Sequence, residues 1–145
     1  MKRLLILAVA FAFAGFAQAE DKKLELPDLK SKEWKEVKDG GGLKIWDVKE
    51  GKGDAVKASA TVKVHYTGWN LDGTVFDTSV TKNKPIAFGL DDVIKGWGNG
   101  VPGMKPGGVR RLYIPYKLAY GEKGRPPAIP AKADLVFEIE LLEIK

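Results

Sequence analysis

Val93-Ile94-Lys95-Gly96-Trp97 is the stretch on which the reading of this chain turns. It is apolar at Val93, Ile94 and Trp97. Gly98, Gly100, Pro102, Gly103, Pro106, Gly107 and Gly108 come directly behind it. Proline lacks a backbone donor, and glycine loses the most backbone entropy on ordering. Breakers at this density therefore permit one or two helical turns and forbid a long helix. A tryptophan on so short an element needs a large surface to pack on. Residue type alone favours a plain core plug. The flanking sequence decides whether Trp97 is something more.

That flanking sequence alternates. Thr61 to Thr67 places Val62, Val64 and Tyr66 on one face and Lys63 and His65 on the other, a half-buried strand of period two. Asn70-Leu71-Asp72-Gly73 predicts a hairpin turn, with Asp-Gly supplying the positive φ, and Val75-Phe76-Asp77 the return strand. Leu43 to Val48 and Pro85 to Phe88 are shorter strand candidates. Val109 to Pro115 sets Leu112 and Ile114 against Arg111 and Tyr113. Asp134 to Ile144 is the strongest strand: Leu135, Phe137, Ile139 and Leu141 share a face opposite Glu138 and Glu140. Tyr116 to Pro130 is rich in proline and glycine and predicts a long loop. Several antiparallel strands and one short helix make an α+β domain, with the helix on the apolar side of a sheet that keeps one wet face.

The chain has 145 residues, 44% hydrophobic and 30% charged, enough for one domain with one core. Met1-Lys2-Arg3, the apolar run Leu4 to Phe16 and the small-x-small site Ala17-Gln18-Ala19 predict a secretory signal peptide over residues 1–19. An uncleaved anchor is the alternative, although the run is shorter than the ~20 residues that span a bilayer. Without Lys2 and Arg3, the 24 basic residues fall to 22 against 19 acidic. Interspersed charge with so small a surplus is no sign of a nucleic-acid partner. The expectation is an exported protein, periplasmic in the first instance and secreted as the alternative, with no membrane span once the signal is removed. Residues 20–42 are charged, carry isolated Leu24, Leu26, Leu29 and Trp34, and end in Gly40-Gly41-Gly42. They predict an N-terminal arm or linker.

Many chemistries lack their residues. There is no cysteine, and His65 is the one histidine, so no metal site is expected. His65 is read as an exposed structural residue, since no serine motif accompanies it. Gly96-Trp97-Gly98-Asn99-Gly100 looks like a glycine loop, but its tryptophan blocks a phosphate and no Lys-Ser/Thr follows. Asp91-Asp92 reads as a turn and helix cap rather than a calcium loop. What remains is aromatic: Tyr66, Phe76, Trp97, Tyr120 and Phe137 fall around one expected core. If they converge, they form an apolar bowl with few polar atoms, which is a small-ligand site. Asp77, beside Phe76, is the carboxylate placed to reach its rim.

Five motifs, in order, carry a resemblance. They are Val64-His65-Tyr66-Thr67-Gly68, Asp72-Gly73-x-x-Phe76-Asp77-x-Ser79, Val93 to Trp97, Ala119-Tyr120-Gly121, and Leu135-Val136-Phe137-x-Ile139-x-Leu141-Leu142. Together they resemble the FKBP-type peptidyl-prolyl cis-trans isomerases, over residues 60 to 145. The resemblance implies a twisted antiparallel sheet wrapped round one short helix, with the isomerase domain at 43–145. It implies proline-containing polypeptides as substrates, macrolide inhibitors as ligands of the same pocket, and no cofactor. Carried over by position, Trp97 is the floor under the substrate proline and Tyr66, Phe76 and Phe137 are walls. Val93 and Ile94 line the rim, with the Ile94 N–H holding a substrate carbonyl. Tyr120 donates its hydroxyl to the substrate, Asp77 lies near the rotating imide, and Ile129 closes the top. Phe76, Asp77 and Tyr120 form the catalytic set.

Several positions depart from the family pattern. Ile86 replaces an aromatic residue beside the pocket. Lys82 stands where an arginine often partners the pocket aspartate. Arg125 and Ala128 replace a bulkier, less charged lining, and the segment Phe88 to Val93 is short. Two other readings use the same residues: a binding module that holds proline segments with little turnover, and a sugar-binding β-domain with solvent-facing aromatics. The second conflicts with Tyr66 and Phe137 lying on the apolar faces of their strands.

Overall fold

The computed structural model describes residues 24–145; the expected signal segment, 1–19, lies outside the described residues. Seven strands form one sheet: β1 (Lys35–Glu36), β2 (Lys44–Lys49), β3 (Thr61–Asn70), β4 (Val75–Thr78), β5 (Ile86–Gly89), β6 (Val109–Ile114) and β7 (Leu135–Ile144). The order across the sheet is β1-β2-β6-β7-β3-β4, and β5 pairs with the first half of β3 beside β4. Every pairing is antiparallel. Among the described residues one six-residue α-helix, α1 (Lys95–Gly100), completes the α+β architecture expected from the sequence.

The alternation read from the sequence sets the faces. Val62, Val64, Tyr66, Leu112, Ile114, Leu135, Phe137, Ile139 and Leu141 are all buried in one core with Trp97. Their neighbours Lys63, His65, Arg111, Tyr113, Glu138 and Glu140 lie on the other face and are partly exposed. The hairpin at Asn70–Gly73 forms as expected, with Gly73 at φ 93° and the Asn70 N–H donating to the Thr74 carbonyl at 2.9 Å.

The glycines of α1 do more than limit its length. A Cβ at Gly96 would strike the Ile114 side chain, and one at Gly100 would sit 2.7 Å from Leu112 Cδ2. Both residues belong to β6. The backbone of α1 therefore rests directly on the Ile114 and Leu112 side chains, and the Trp97 ring is pressed into the sheet's concave face.

The segment expected to be an arm or linker contributes β1, which pairs with β2 through Lys35↔Ile45 and Glu36↔Lys44. Further back, the Leu24 carbonyl accepts the indole N–H of Trp69 at 2.9 Å. Trp69 and its cross-strand partner Val136 are fully buried on the outer face of the sheet, outside the main core. Trp34 packs edge-on against Trp46 and Tyr113, with centroids 5.5 and 6.3 Å apart. Arg111 lies 4.3 Å over Trp46 and donates to Glu138 at 2.9 Å. Tyr113 donates its hydroxyl to Asp134; burial first, and that carboxylate second, push its pKa up to about 12. Isolated hydrophobic residues in a polar stretch carry no period, so this second aromatic layer was not expected.

On helix propensity alone, Gly96→Ala should stabilise α1 by about 1 kcal/mol. The contact with Ile114 reverses the sign. Overpacking of this kind costs about 1–3 kcal/mol, so urea unfolding should show a net loss of stability. A gain would mean that the helix stands off from β6.

Candidate active site

Between α1 and the concave face of the sheet lies a cavity of about 540 Å³. Its floor is Trp97, 3% exposed. Three rings meet Trp97 edge-on: Phe88 at 5.3 Å, Phe137 at 5.4 Å and Tyr66 at 5.5 Å between centroids. Phe76 meets Phe137 in the same manner at 5.5 Å. Edge-to-face contact sets the positive rim of one ring against the negative face of the next, so the cluster is fixed in orientation as well as in contact. Gly68 makes the wall possible. A Cβ there would sit 2.5 Å from Phe76 Cζ and 2.8 Å from Phe137 Cε1.

The polar groups are few. The Tyr66 hydroxyl donates to Asp77 Oδ2 at 2.5 Å. Desolvation first, and then the Asp77 carboxylate, raise the Tyr66 phenol well above its ordinary value of 10. It therefore stays a protonated donor at any physiological pH. Ser79, fully buried, locks the two strands that carry this pair. Its Oγ accepts the Tyr66 backbone N–H at 2.8 Å and lies 2.9 Å from His65 Nδ1. His65 is thus half-buried and engaged, not simply exposed.

Of the expected site residues, Tyr66, Phe76, Asp77, Val93, Ile94, Trp97, Tyr120 and Phe137 all line the cavity. Ile94 is the residue preceding the first turn of α1. Among the described residues its N–H donates to no backbone carbonyl. Ile129 is placed differently. It is 4% exposed and packs in the core, not in the lining. Its N–H and carbonyl bond to the carbonyl and N–H of Arg125 at 3.0 and 2.8 Å. Ile129 thus anchors the upper loop from below.

Two lining residues, Phe88 and Asp92, were missed, and Arg125, expected in the lining, had been given no role. Phe88 supplies an aromatic ring to the pocket from the same strand, while Ile86 is 37% exposed. The two share a face of β5, opposite Val62 and Val64, and four residues of alternation cannot say which one reaches the pocket. Nor does a lysine partner the aspartate. The ion pairs among the described residues are Arg110–Asp47 and Arg111–Glu138, and Asp77 takes a tyrosine instead.

A family model described as FKBP-type peptidyl-prolyl cis-trans isomerase matches residues 52–142. This chain belongs to that family. An FK506-binding protein of Neisseria meningitidis is 46% identical over 106 residues, covering 72% of this chain and 97% of that protein. A probable FKBP-type peptidyl-prolyl cis-trans isomerase of Haemophilus influenzae is 41% identical over 94% of this chain, but the match covers 56% of its own length. The crystal structure of FkpA from Escherichia coli superimposes with a TM-score of 0.74 at 41% identity, over 96% of this chain and 64% of that one. The chain thus spans a little over half of the longer FKBP relatives. Among its described residues no helix is long and apolar enough to cross a membrane.

The Tyr66–Asp77 bond has a pH signature. A phenol whose pKa is raised on folding contributes stability that is complete below its unfolded value, near 10, and is lost as pH rises towards the folded one. Denaturant midpoints should fall from pH 10 upward. In Tyr66→Phe the fall should be shallower. An equal fall in both proteins would show that this phenol is not the group responsible.

Proposed function

We propose that this protein is a peptidyl-prolyl cis-trans isomerase that accelerates rotation about X-Pro bonds of exported polypeptides. The observation that carries the reading is the tryptophan floor ringed edge-on by Tyr66, Phe88 and Phe137. The family membership, and the activity for which the family is described, agree with it.

The chemistry suits such a pocket. The X-Pro amide owes its barrier, roughly 18–20 kcal/mol, to the double-bond character of the C–N bond. At the top of the barrier the amide is twisted, conjugation is lost and the carbonyl is less polar. Water stabilises the planar, dipolar form more than the twisted one. A dry aromatic bowl that grips the proline ring removes this preference and so binds the twisted form differentially, which is catalysis. No bond is made or broken, so no nucleophile is called for. In this reading Trp97 carries the proline ring, and Tyr66, Phe76 and Phe137 hold it from the sides. The Ile94 N–H and Tyr120 hydroxyl take substrate carbonyls, with Val93 at the rim. Asp77, held by Tyr66, presents a carboxylate to the rotating imide. Macrolides that mimic a bound prolyl segment would fill the same bowl. The signal segment at 1–19 would deliver the domain, 43–145 with its arm at 20–42, to the periplasm or beyond.

A protease-coupled or NMR exchange assay on a Leu-Pro peptide tests the proposal. The protein should accelerate exchange, and a macrolide should suppress the effect. Phe76→Ala and Asp77→Leu should each lower kcat/KM by about tenfold or more, the loss of ~1.4 kcal/mol of transition-state binding. Trp97→Leu, which still fills part of the floor, should lose less. No acceleration by the folded protein would leave a proline-binding module. Unchanged rates in both Phe76→Ala and Asp77→Leu would remove the pocket assignment.

A further inference from the structure

The cavity has three charged groups on its lining: Asp77 from β4, Asp92 from the turn before α1, and Arg125 from the loop after β6. Asp77 is engaged by the Tyr66 hydroxyl. Arg125 has no such partner. The other two arginines among the described residues are ion-paired, Arg110 to Asp47 and Arg111 to Glu138, while the Arg125 guanidinium meets no carboxylate among those residues. It lies instead 5.4 Å over the ring of Tyr120. A guanidinium set over an aromatic face is backed by the ring and leaves N–H groups free for a carboxylate, which it can take with two bonds.

The mounting of Arg125 is also rigid. Its N–H and carbonyl form a paired bridge with Ile129, whose side chain is sunk in the core. The adjacent Ala128 carbonyl accepts the side-chain amide of Asn70, itself buried, at 2.9 Å. The backbone that carries Arg125 is thus fixed beside the pocket, so only side-chain freedom is lost when a ligand takes the cation.

We propose that Arg125 is a specificity-determining residue, selecting proline segments that carry an acidic side chain next to the proline. This rests on the isomerase reading of the pocket and adds the substrate class. Asp77 and Asp92 lie on other walls and repel an acid there. The preference therefore belongs to the one flank of the proline that lies against Tyr120.

The test is a matched set of peptides with Glu, Leu or Lys before the proline, and a second set with the same residues after it. Each is assayed with the unaltered protein, Arg125→Ala, Arg125→Glu and Arg125→Lys. The readout is the Glu-to-Lys ratio of kcat/KM, in which any general loss of activity cancels. At one flank the unaltered protein should favour Glu by about threefold or more, the scale of a partly exposed ion pair. The ratio should collapse in Arg125→Ala, invert in Arg125→Glu and be only partly kept in Arg125→Lys, whose ammonium keeps the charge without the two-bond geometry. It should shrink with added salt. Turnover of the Leu peptides with a Glu-to-Lys ratio that Arg125→Glu leaves unchanged overturns this inference and leaves the isomerase standing. Equal responses at both flanks also overturn it, since they would report a general field and not a contact. No turnover of any peptide overturns the isomerase reading and this inference with it.

Discussion

The contact between Gly96 and Ile114 governs the site. Only a residue without a side chain lets α1 approach β6 this closely, and only that approach pushes Trp97 into the curve of the sheet. Three of the five edge-to-face pairs in the cavity include Trp97. Were the helix axis farther from β6, Tyr66, Phe88 and Phe137 would face a gap, because a ring displaced by a fraction of an ångström already loses much of its dispersion contact. The poor helix propensity of a six-residue element containing three glycines is thus offset by what the glycines permit. Its stability comes from packing, as expected for a helix too short to persist alone.

The same geometry separates the functions of the pocket. Its floor is apolar and orientation-fixed. Its polar groups stand at the sides, each held by a neighbour: Asp77 by Tyr66, Tyr66 through its backbone by Ser79, Arg125 through its backbone by Ile129. In the isomerase reading a substrate would meet donors and acceptors already oriented, so reorganisation at the moment of rotation would be small.

Much of this was legible in the sequence because period two is a strong signal over long strands. β3 and β7 are ten residues each, and their alternation assigned Tyr66 and Phe137 to the interior before any coordinates. The ordered motifs placed Phe76, Asp77, Trp97 and Tyr120 at one site. What escaped has a common cause. Phe88 sits on a four-residue strand where Ile86 shares its face. Ile129 and Arg125 lie in a proline-rich loop with no period at all, and their roles follow from a two-residue bridge. β1 is two residues long, and the contact of Leu24 with Trp69 spans 45 positions. Each depends on a tertiary partner distant in sequence, which no local pattern encodes.

The order of the strands also bears on how the chain comes together in time. β7 lies at the middle of the sheet, between β6 and β3, yet it is the last strand in the chain. It pairs with β3 from Val62↔Ile144 to Asn70↔Leu135. During synthesis, β3 and β6 are therefore finished well before the strand that joins them. Until residues 135–144 arrive there are two separate ribbons, each with an open edge and an apolar face, and Trp97 has no Phe137 to rest against. Such edges are templates for unwanted pairing, and joining them across so much sequence is slow. A protein read here as an aid to the folding of others is itself built on a topology that closes late.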